Sequence, residues 1–229
     1  MHSTPYDLRF TLFGFQTSIQ PFFWVVAALI TAINIGPIEN MPVWFSMLFI
    51  GMAGVALSVL VHELGHAFSF RHLFNVPCVI VLHGLGGMAA PLIPYRYSYS
   101  LQGVMARCFL SFSGPLAGFI LAAVMITLAV ALPLERDSLL WFFLNWTAII
   151  SIIWGIFNLL PIYPMDGGHI AREVFAYIFP RRGVEYSLIF SIMLAIALGL
   201  AALMFGYIII TVLFGYFAYV NYQELTGGR

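Results

Sequence analysis

Two histidines and a glutamate stand together in the sequence His62-Glu63-Leu64-Gly65-His66. On an α-helix, positions i and i+4 share one face, so both imidazoles can reach the same metal ion. Glu63 follows His62 directly, where its carboxylate can contact a metal-bound water without being a ligand. The pattern therefore predicts a catalytic site with one Zn²⁺ per chain, in which His62 and His66 are ligands and Glu63 is the general base.

A catalytic zinc site needs a third protein ligand and keeps its fourth position open. Asp166 is the candidate, because it ends a long uncharged run and follows Pro161 and Pro164, which break a helix. The pair Gly167-Gly168 after it favours a sharp turn of the backbone. An acid placed by a broken helix can point at the metal. The alternative for Asp166 is an N-cap of a helix that begins near His169.

The elements that position these residues are predicted to lie in lipid. Of the 229 residues, 62% are hydrophobic and only 8% are charged, whereas soluble domains carry about 25% charged residues. This composition excludes a soluble enzyme, a nucleic-acid-binding protein and a disordered protein. It indicates an integral membrane protein whose surroundings are a lipid bilayer.

Uncharged runs predict an all-α polytopic membrane protein with six transmembrane helices. The last run, 186–223, has 38 residues. As one helix it would be roughly 57 Å long, against a hydrocarbon core of about 30 Å, so two spans with a turn near Phe205-Gly206 are expected. The other four runs are 22–38, 40–62, 108–134 and 138–165.

Residues 73–95 are uncharged but rich in proline and glycine, which disfavours a helix. Short strands are predicted at 79–82 and 88–90, around a turn at 83–87. Non-helical backbone is tolerated at membrane depth only beside protein or water. We therefore expect a re-entrant, Gly-rich hairpin between helices 2 and 3 that lines a cavity, with an interfacial loop as the alternative.

The arginines predict the orientation of the chain in the membrane. With six spans, eight of the nine fall on one side, and only Arg136 falls on the other. By the positive-inside rule, both termini, the hairpin, the segment 166–185 and the opening of the active site face the cytoplasm. The eight are Arg9, Arg71, Arg96, Arg107, Arg172, Arg181, Arg182 and Arg229.

The motifs at 62–66 and 158–168 together resemble those of the site-2 protease family of intramembrane zinc metalloproteases. The second motif has the form Asn-x-x-Pro-x-x-Pro-x-Asp-Gly-Gly. The segments 83–87 and 113–118 resemble the family's Gly-rich segment and the small-residue motif of its third core helix. The resemblance covers at least residues 44–180 and matches the minimal core of the family, without a PDZ or CBS domain.

This resemblance implies one membrane-embedded protease domain over residues 1–229. Its catalytic core is about 44–180, with a flanking helix at 21–38 and a C-terminal helix pair at about 184–223. The resemblance also implies that His62, His66 and Asp166 bind the zinc ion and that Glu63 is the catalytic acid.

The chemistry of the residues agrees with these roles. Zinc lowers the pKa of its bound water to about 7, and Glu63 would take the proton of that water and pass it to the leaving amine. Asn158 is the first candidate for an oxyanion or substrate contact, with His83 as the alternative. The glycines of the hairpin, Gly84, Gly86 and Gly87, are expected to bind an extended substrate at a strand edge.

The substrate implied by the resemblance is a transmembrane protein or peptide, cleaved in or near its membrane segment during regulated intramembrane proteolysis. The expected location is a prokaryotic plasma membrane. Two other functions remain open for the same residues: a metal-ion transporter, and a zinc-containing binder of membrane helices without catalysis. A transporter is expected to carry further intramembrane ionisable residues along a path, and a binder has no use for Glu63.

Overall fold

The computed structural model describes residues 5–84, 86–93 and 100–227. Leu85 of the predicted hairpin, and Arg96 and Arg229 of the arginine pattern, lie outside this part of the chain. The described residues form seven helices and four strands. In chain order these are β1 (Leu8–Leu12), β2 (Phe15–Ile19), α1 (Pro21–Ile35), α2 (Met41–Phe74), β3 (Cys78–His83), β4 (Gly86–Pro91), α3 (Leu101–Ala131), α4 (Leu139–Asn158), α5 (Asp166–Ile178), α6 (Gly183–Met204) and α7 (Ile208–Gly227).

The chain divides into two compact units. The first comprises residues 1–96 and 113–156, and therefore holds the sheet, α1, α2 and most of α3 and α4. The second comprises residues 97–112 and 157–229, and holds α5, α6 and α7.

The first unit contains one four-stranded sheet in the order β1-β2-β3-β4. The strands β3 and β4 pair antiparallel, at the place where the sequence predicts two short strands. The strands β1 and β2 form an antiparallel hairpin, and β2 runs parallel to β3. The prediction of an all-α chain is therefore corrected to a mostly helical one. The N-terminal hairpin of β1 and β2 is not among the elements predicted from the sequence.

The local geometry of that hairpin is regular. Residues alternate between buried and less buried along β2, which is the period of a strand with one covered face. Phe13 and Gly14 link β1 to β2, and both have positive φ, at 50° and 81°. Such a two-residue link matches the twist of a β-hairpin.

Helix α2 carries the predicted metal motif and is the longest helix of the described chain. It begins at a cap in which the Asn40 side chain accepts a hydrogen bond from the backbone N–H of Val43. It ends at Asn75, which has the left-handed conformation common at helix ends. The uncharged run 40–62 predicts where this helix begins, and the helix continues beyond that run to Phe74.

Helix α4 is held on α2 within the first unit by polar contacts. The Ser58 hydroxyl donates to the backbone oxygen of Thr147 at 3.1 Å, and the Ser151 hydroxyl donates to Ser58 at 2.9 Å. The indole N–H of Trp146 donates to the backbone oxygen of Gly51. Because Ser58 lies one turn before His62, these contacts fix α4 beside the metal motif.

The second unit is built on the pair α6 and α7. The chain reverses direction between them at Gly206, which has a φ of 78° and belongs to the predicted turn at Phe205-Gly206. Its core contains Ile162 and Met165 from the segment before α5, packed with Ala195 of α6 and Phe214 of α7.

Among the described residues, four helices are long and apolar enough to cross a membrane: α2, α3, α4 and α6. Helix α1 is apolar but shorter. On α6, Ser187 and Ser191 are buried, while Met193 and Leu200 are each 58% exposed. A helix that buries serine and exposes methionine and leucine suits a lipid solvent, since its polar groups find partners only inside the protein. The chain is therefore an integral membrane protein.

Candidate metal centre

The helix α2 presents both histidines of the motif on one face. His62 is 2% exposed and His66 is 8% exposed, and their Nε2 atoms lie 3.2 Å apart. Their rings meet edge to face, with centroids 4.9 Å apart. Helical spacing alone therefore brings the two nitrogens together inside the protein, as the i, i+4 argument requires.

The separation of these two nitrogens fits zinc. Two nitrogens bound to one tetrahedral zinc at about 2.0–2.1 Å lie roughly 3.3 Å apart. The observed 3.2 Å between His62 Nε2 and His66 Nε2 agrees with that value. Buried imidazoles with converging nitrogens are also the donors that zinc prefers. The residues present therefore fit the predicted metal.

A glycine on α3 makes room for the His66 ring. If Gly114 carried a Cβ atom, that atom would lie only 2.2 Å from His66 Nε2 and 2.6 Å from Cε1. One residue before His66 on α2, a Cβ at Gly65 would lie 2.3 Å from the backbone oxygen of Ser113. Both glycines allow α2 and α3 to approach closely, so the small-residue motif at 113–118 shapes the metal centre directly.

Glu63 lies against the strand β4. It is 4% exposed, and a Cβ at Gly87 would lie 2.6 Å from its Oε1 atom and 2.5 Å from its Cγ atom. The backbone of the hairpin therefore passes directly over the carboxylate. The neighbouring residue Gly86 has a φ of 131° and lies against the ring of Trp154.

Trp154 was not predicted from the sequence. Its ring lies 6.5 Å from that of His62, edge to face, and it also contacts Gly86. It therefore touches both the metal helix and the hairpin. A lone tryptophan within an apolar run does not indicate a position beside a metal site, because tryptophan is also common where membrane helices meet the membrane–water interface.

Asp166, in the second unit, is the first residue of α5, and Met165 is the N-cap. The alternative of an N-cap role for Asp166 is therefore wrong by one residue, although the helix does begin close to the expected place.

Gly167 and Gly168 are helical and buried, and they do not adopt the sharp turn predicted for them. Cβ atoms there would lie 2.1 Å from the backbone oxygen of Leu159 and 2.3 Å from the backbone nitrogen of Tyr163. These glycines serve close packing of the preceding loop on α5.

Within the described residues, His62, His66 and Asp166 form a group of side chains that could hold one metal ion, each offering one ligand atom. Two imidazoles and one carboxylate are also the donor set of known catalytic zinc sites.

The other predicted site residues lie in the following places. Asn158 is the last residue of α4 and is half-buried. His83 ends β3, and burial lowers the pKa of its imidazole, which favours the neutral form. Gly84 lies against the ring of Phe22 on α1, so it packs the hairpin onto that helix.

Comparisons with known proteins find similar sequences among zinc metalloproteases. Residues 134–200 match the model of peptidase family M50. Rip3 of Mycobacterium tuberculosis, named as a candidate zinc metalloprotease, is 28% identical over 170 residues. The zinc metalloprotease MJ0392 of Methanocaldococcus jannaschii is 25% identical over 224 residues. These matches cover 71% and 96% of this chain, but only 39% of Rip3 and 60% of MJ0392.

The fold also matches a solved structure, the site-2 protease from Methanocaldococcus jannaschii. The TM-score is 0.61 at 22% identity, and the match covers 96% of this chain and 95% of that one. The chain thus shares the fold of that site-2 protease, and its residues 134–200 resemble peptidase family M50, in agreement with the resemblance seen in its two motifs.

Proposed function

We propose that this chain is an intramembrane zinc metalloprotease that hydrolyses peptide bonds in or near the transmembrane segments of other membrane proteins. The observation that carries the proposal is the buried cluster of His62, Glu63 and His66 on the membrane helix α2. Buried ionisable residues in a membrane helix are costly and mark functional sites. The protease names of the two sequence relatives support the same activity.

His62, His66 and Asp166 hold the zinc ion in this proposal. A zinc ion bound there would act as a Lewis acid and would lower the pKa of a water molecule to about 7. Glu63 accepts the proton that this water loses when its oxygen attacks the scissile carbonyl carbon. As the C–N bond breaks, Glu63 donates that proton to the leaving amine nitrogen. The side-chain amide of Asn158 donates a hydrogen bond to the developing oxyanion.

The substrate is bound as an extended strand along β4. A substrate helix hides its carbonyls in its own hydrogen bonds, so it must unwind before it can be attacked. In the described sheet β4 pairs only with β3, and its backbone at Gly87 lies against Glu63. Pairing with the open edge of β4 would satisfy the unwound backbone and bring it to the general base. Gly86 and Gly87 offer a flat strand for this contact.

The proposed membrane topology of the chain has six transmembrane spans. Helices α1 and α7 join the four long apolar helices as spans, and β3 and β4 form a re-entrant hairpin between α2 and α3. The short amphipathic helix α5 begins with Asp166 and lies between spans. The arginine pattern supports a cytoplasmic opening and cytoplasmic termini in a prokaryotic plasma membrane.

Metal-ion transport and non-catalytic binding are not favoured. Within the described residues, His62, His66 and Asp166 are the one group of three or more His, Cys, Asp or Glu side chains able to hold a metal. A transport path needs further ionisable residues along it. The two sequence relatives carry protease names rather than transporter names.

The test uses the purified full chain in lipid vesicles with a single-span reporter protein. Cleavage is expected to stop when a strong chelator removes zinc, and to return when one equivalent of Zn²⁺ per chain is restored. Zinc content is measured by elemental analysis in parallel with cleavage. Cleavage that persists in zinc-free protein would contradict the proposal.

Proline substitutions test the role of β4 in binding substrate. Consecutive N–H groups of a strand point to opposite edges, so one of Met88→Pro and Ala89→Pro removes a donor from the open edge and the other breaks the pairing with β3. The variant that keeps its fold is expected to raise KM at least 10-fold while zinc content stays normal. Cleavage kinetics across a reporter concentration series measure this.

The strand β1 provides the control, because it forms the opposite edge of the same sheet. Proline at Phe10 or at Thr11 tests that edge in the same way. If prolines on β4 and on β1 changed KM equally, the β4 edge would have no special role.

A further inference from the structure

The segment between α4 and α5, residues 159–165, is held in place by side chains of the C-terminal helices α6 and α7. The backbone N–H of Tyr163 donates to the hydroxyl of Ser191 on α6 at 3.3 Å. The same hydroxyl donates to the backbone oxygen of Pro161 at 3.3 Å. Ser191 is only 1% exposed, so these contacts are made inside the protein. One serine thus holds two points of the segment that leads to Asp166.

Helix α7 holds the same segment from another element. The side-chain amide nitrogen of Asn221 donates to the backbone oxygen of Tyr163 at 2.5 Å, and to that of Phe217 at 2.7 Å. Asn221 is fully buried, with 0% exposure. The bond to Phe217 lies within α7, but the bond to Tyr163 joins residues 58 positions apart. Burial of the Asn221 amide costs free energy that the two donated bonds offset in part, and the bond to Tyr163 is the one that joins α7 to this segment.

The held segment and the first turn of α5 form one packed piece. The glycines that follow Asp166 lie directly on the segment, where Cβ atoms would come within 2.1–2.5 Å of its backbone atoms. The side chains of Ile162 and Met165 are buried against Ala195 and Phe214. Any movement of the Tyr163 backbone would therefore shift the start of α5, where Asp166 stands.

We propose that Asn221 and Ser191 are positioning residues for the carboxylate of Asp166. This rests on the proposed function, in which Asp166 is a zinc ligand. A metal ligand must be held within about 0.5 Å of its productive place by the residues around it. The C-terminal helix pair is thus part of the metal centre, and the functional core extends past the boundary at about residue 180 that the sequence predicts.

The experiment measures zinc affinity, not activity alone, by competition with a chromophoric chelator in the full-length protein. Asn221→Leu removes the donor to Tyr163 at similar volume, and Ser191→Ala removes the hydroxyl. Each is expected to weaken zinc binding 10- to 100-fold, the usual effect of losing a group that supports a ligand. The absorption spectrum of the Co²⁺-loaded protein is expected to change as well, because the ligand geometry changes.

The matched control is Asn145→Leu on α4. The Asn145 amide also donates to a carbonyl four residues back, that of Trp141 at 2.9 Å, but it lies in the first unit. Its removal is expected to leave zinc affinity and the Co²⁺ spectrum unchanged. Equal losses in Asn221→Leu and Asn145→Leu would assign a merely structural role to Asn221 and overturn the proposal.

Asp166→Ala separates this inference from the proposed function. If Asp166→Ala weakens zinc binding while Asn221→Leu and Ser191→Ala bind like the wild type, the positioning role is wrong and the zinc ligand stands. If Asp166→Ala binds zinc like the wild type, the ligand assignment fails, and the positioning role fails with it. Should Asn221→Leu not fold, Ser191→Ala decides the question by itself.

Discussion

Glu63→Gln is expected to reduce cleavage of a transmembrane reporter by roughly 10²–10⁴-fold, the usual contribution of a general acid–base group. Glutamine has nearly the same shape as glutamate, so it keeps the contact with Gly87 and the packing of α2. It cannot accept a proton from the attacking water. Zinc content is expected to stay at one per chain, because Glu63 is not among the three predicted ligands.

The measurement is single-turnover cleavage in vesicles, with zinc content determined on the same samples. Loss of zinc in Glu63→Gln would mean that the Glu63 carboxylate is a zinc ligand rather than the general base. Full cleavage with zinc retained would show that Glu63 is not the general base of the proposed mechanism.

The features that depend on local spacing were predictable. The i, i+4 geometry of His62 and His66 follows from the helix alone, and their nitrogens do meet. Proline and glycine disfavour a helix at 73–95, and the short strands predicted there at 79–82 and 88–90 lie within β3 and β4. The long uncharged run at 186–223 was divided correctly, since a single helix of that length does not fit a bilayer.

The features that depend on distant contacts were not predictable. The parallel pairing of β2 with β3 joins segments separated by two helices, so no local pattern reports it. Gly167 and Gly168 follow an aspartate and two prolines, a sequence typical of a turn, yet they serve helix packing. In the sequence, Asn221 is one polar residue near the end of an apolar run. Its role appears only once the fold brings it to Tyr163.

Gly114→Ala and Gly87→Ala are expected to separate metal binding from proton transfer. A methyl group at position 114 would overlap the His66 ring at the nitrogen predicted to bind zinc. The ring has to turn away, so Gly114→Ala is expected to lose both zinc and cleavage. A methyl group at position 87 would instead overlap the carboxylate of Glu63. That end of the side chain can swing aside at little cost to the fold, so Gly87→Ala is expected to keep its zinc and lose about 10²-fold in kcat, as for a catalytic group misplaced by about 1 Å.

Gly118→Ala is the control, because it adds the same methyl group to the same motif on α3. A Cβ at position 118 would lie 3.5 Å from the backbone oxygen of Ser151, an ordinary contact. Its zinc content, its kcat and its unfolding temperature are therefore expected to match those of the wild type. If all three variants lost zinc together, the glycines would act through the packing of the helix bundle as a whole. A normal zinc content in Gly114→Ala would show that the His66 ring is not confined by α3. Only a loss of zinc in Gly114→Ala, with zinc retained in Gly87→Ala, fits a site in which α3 confines the ligand and β4 confines the base.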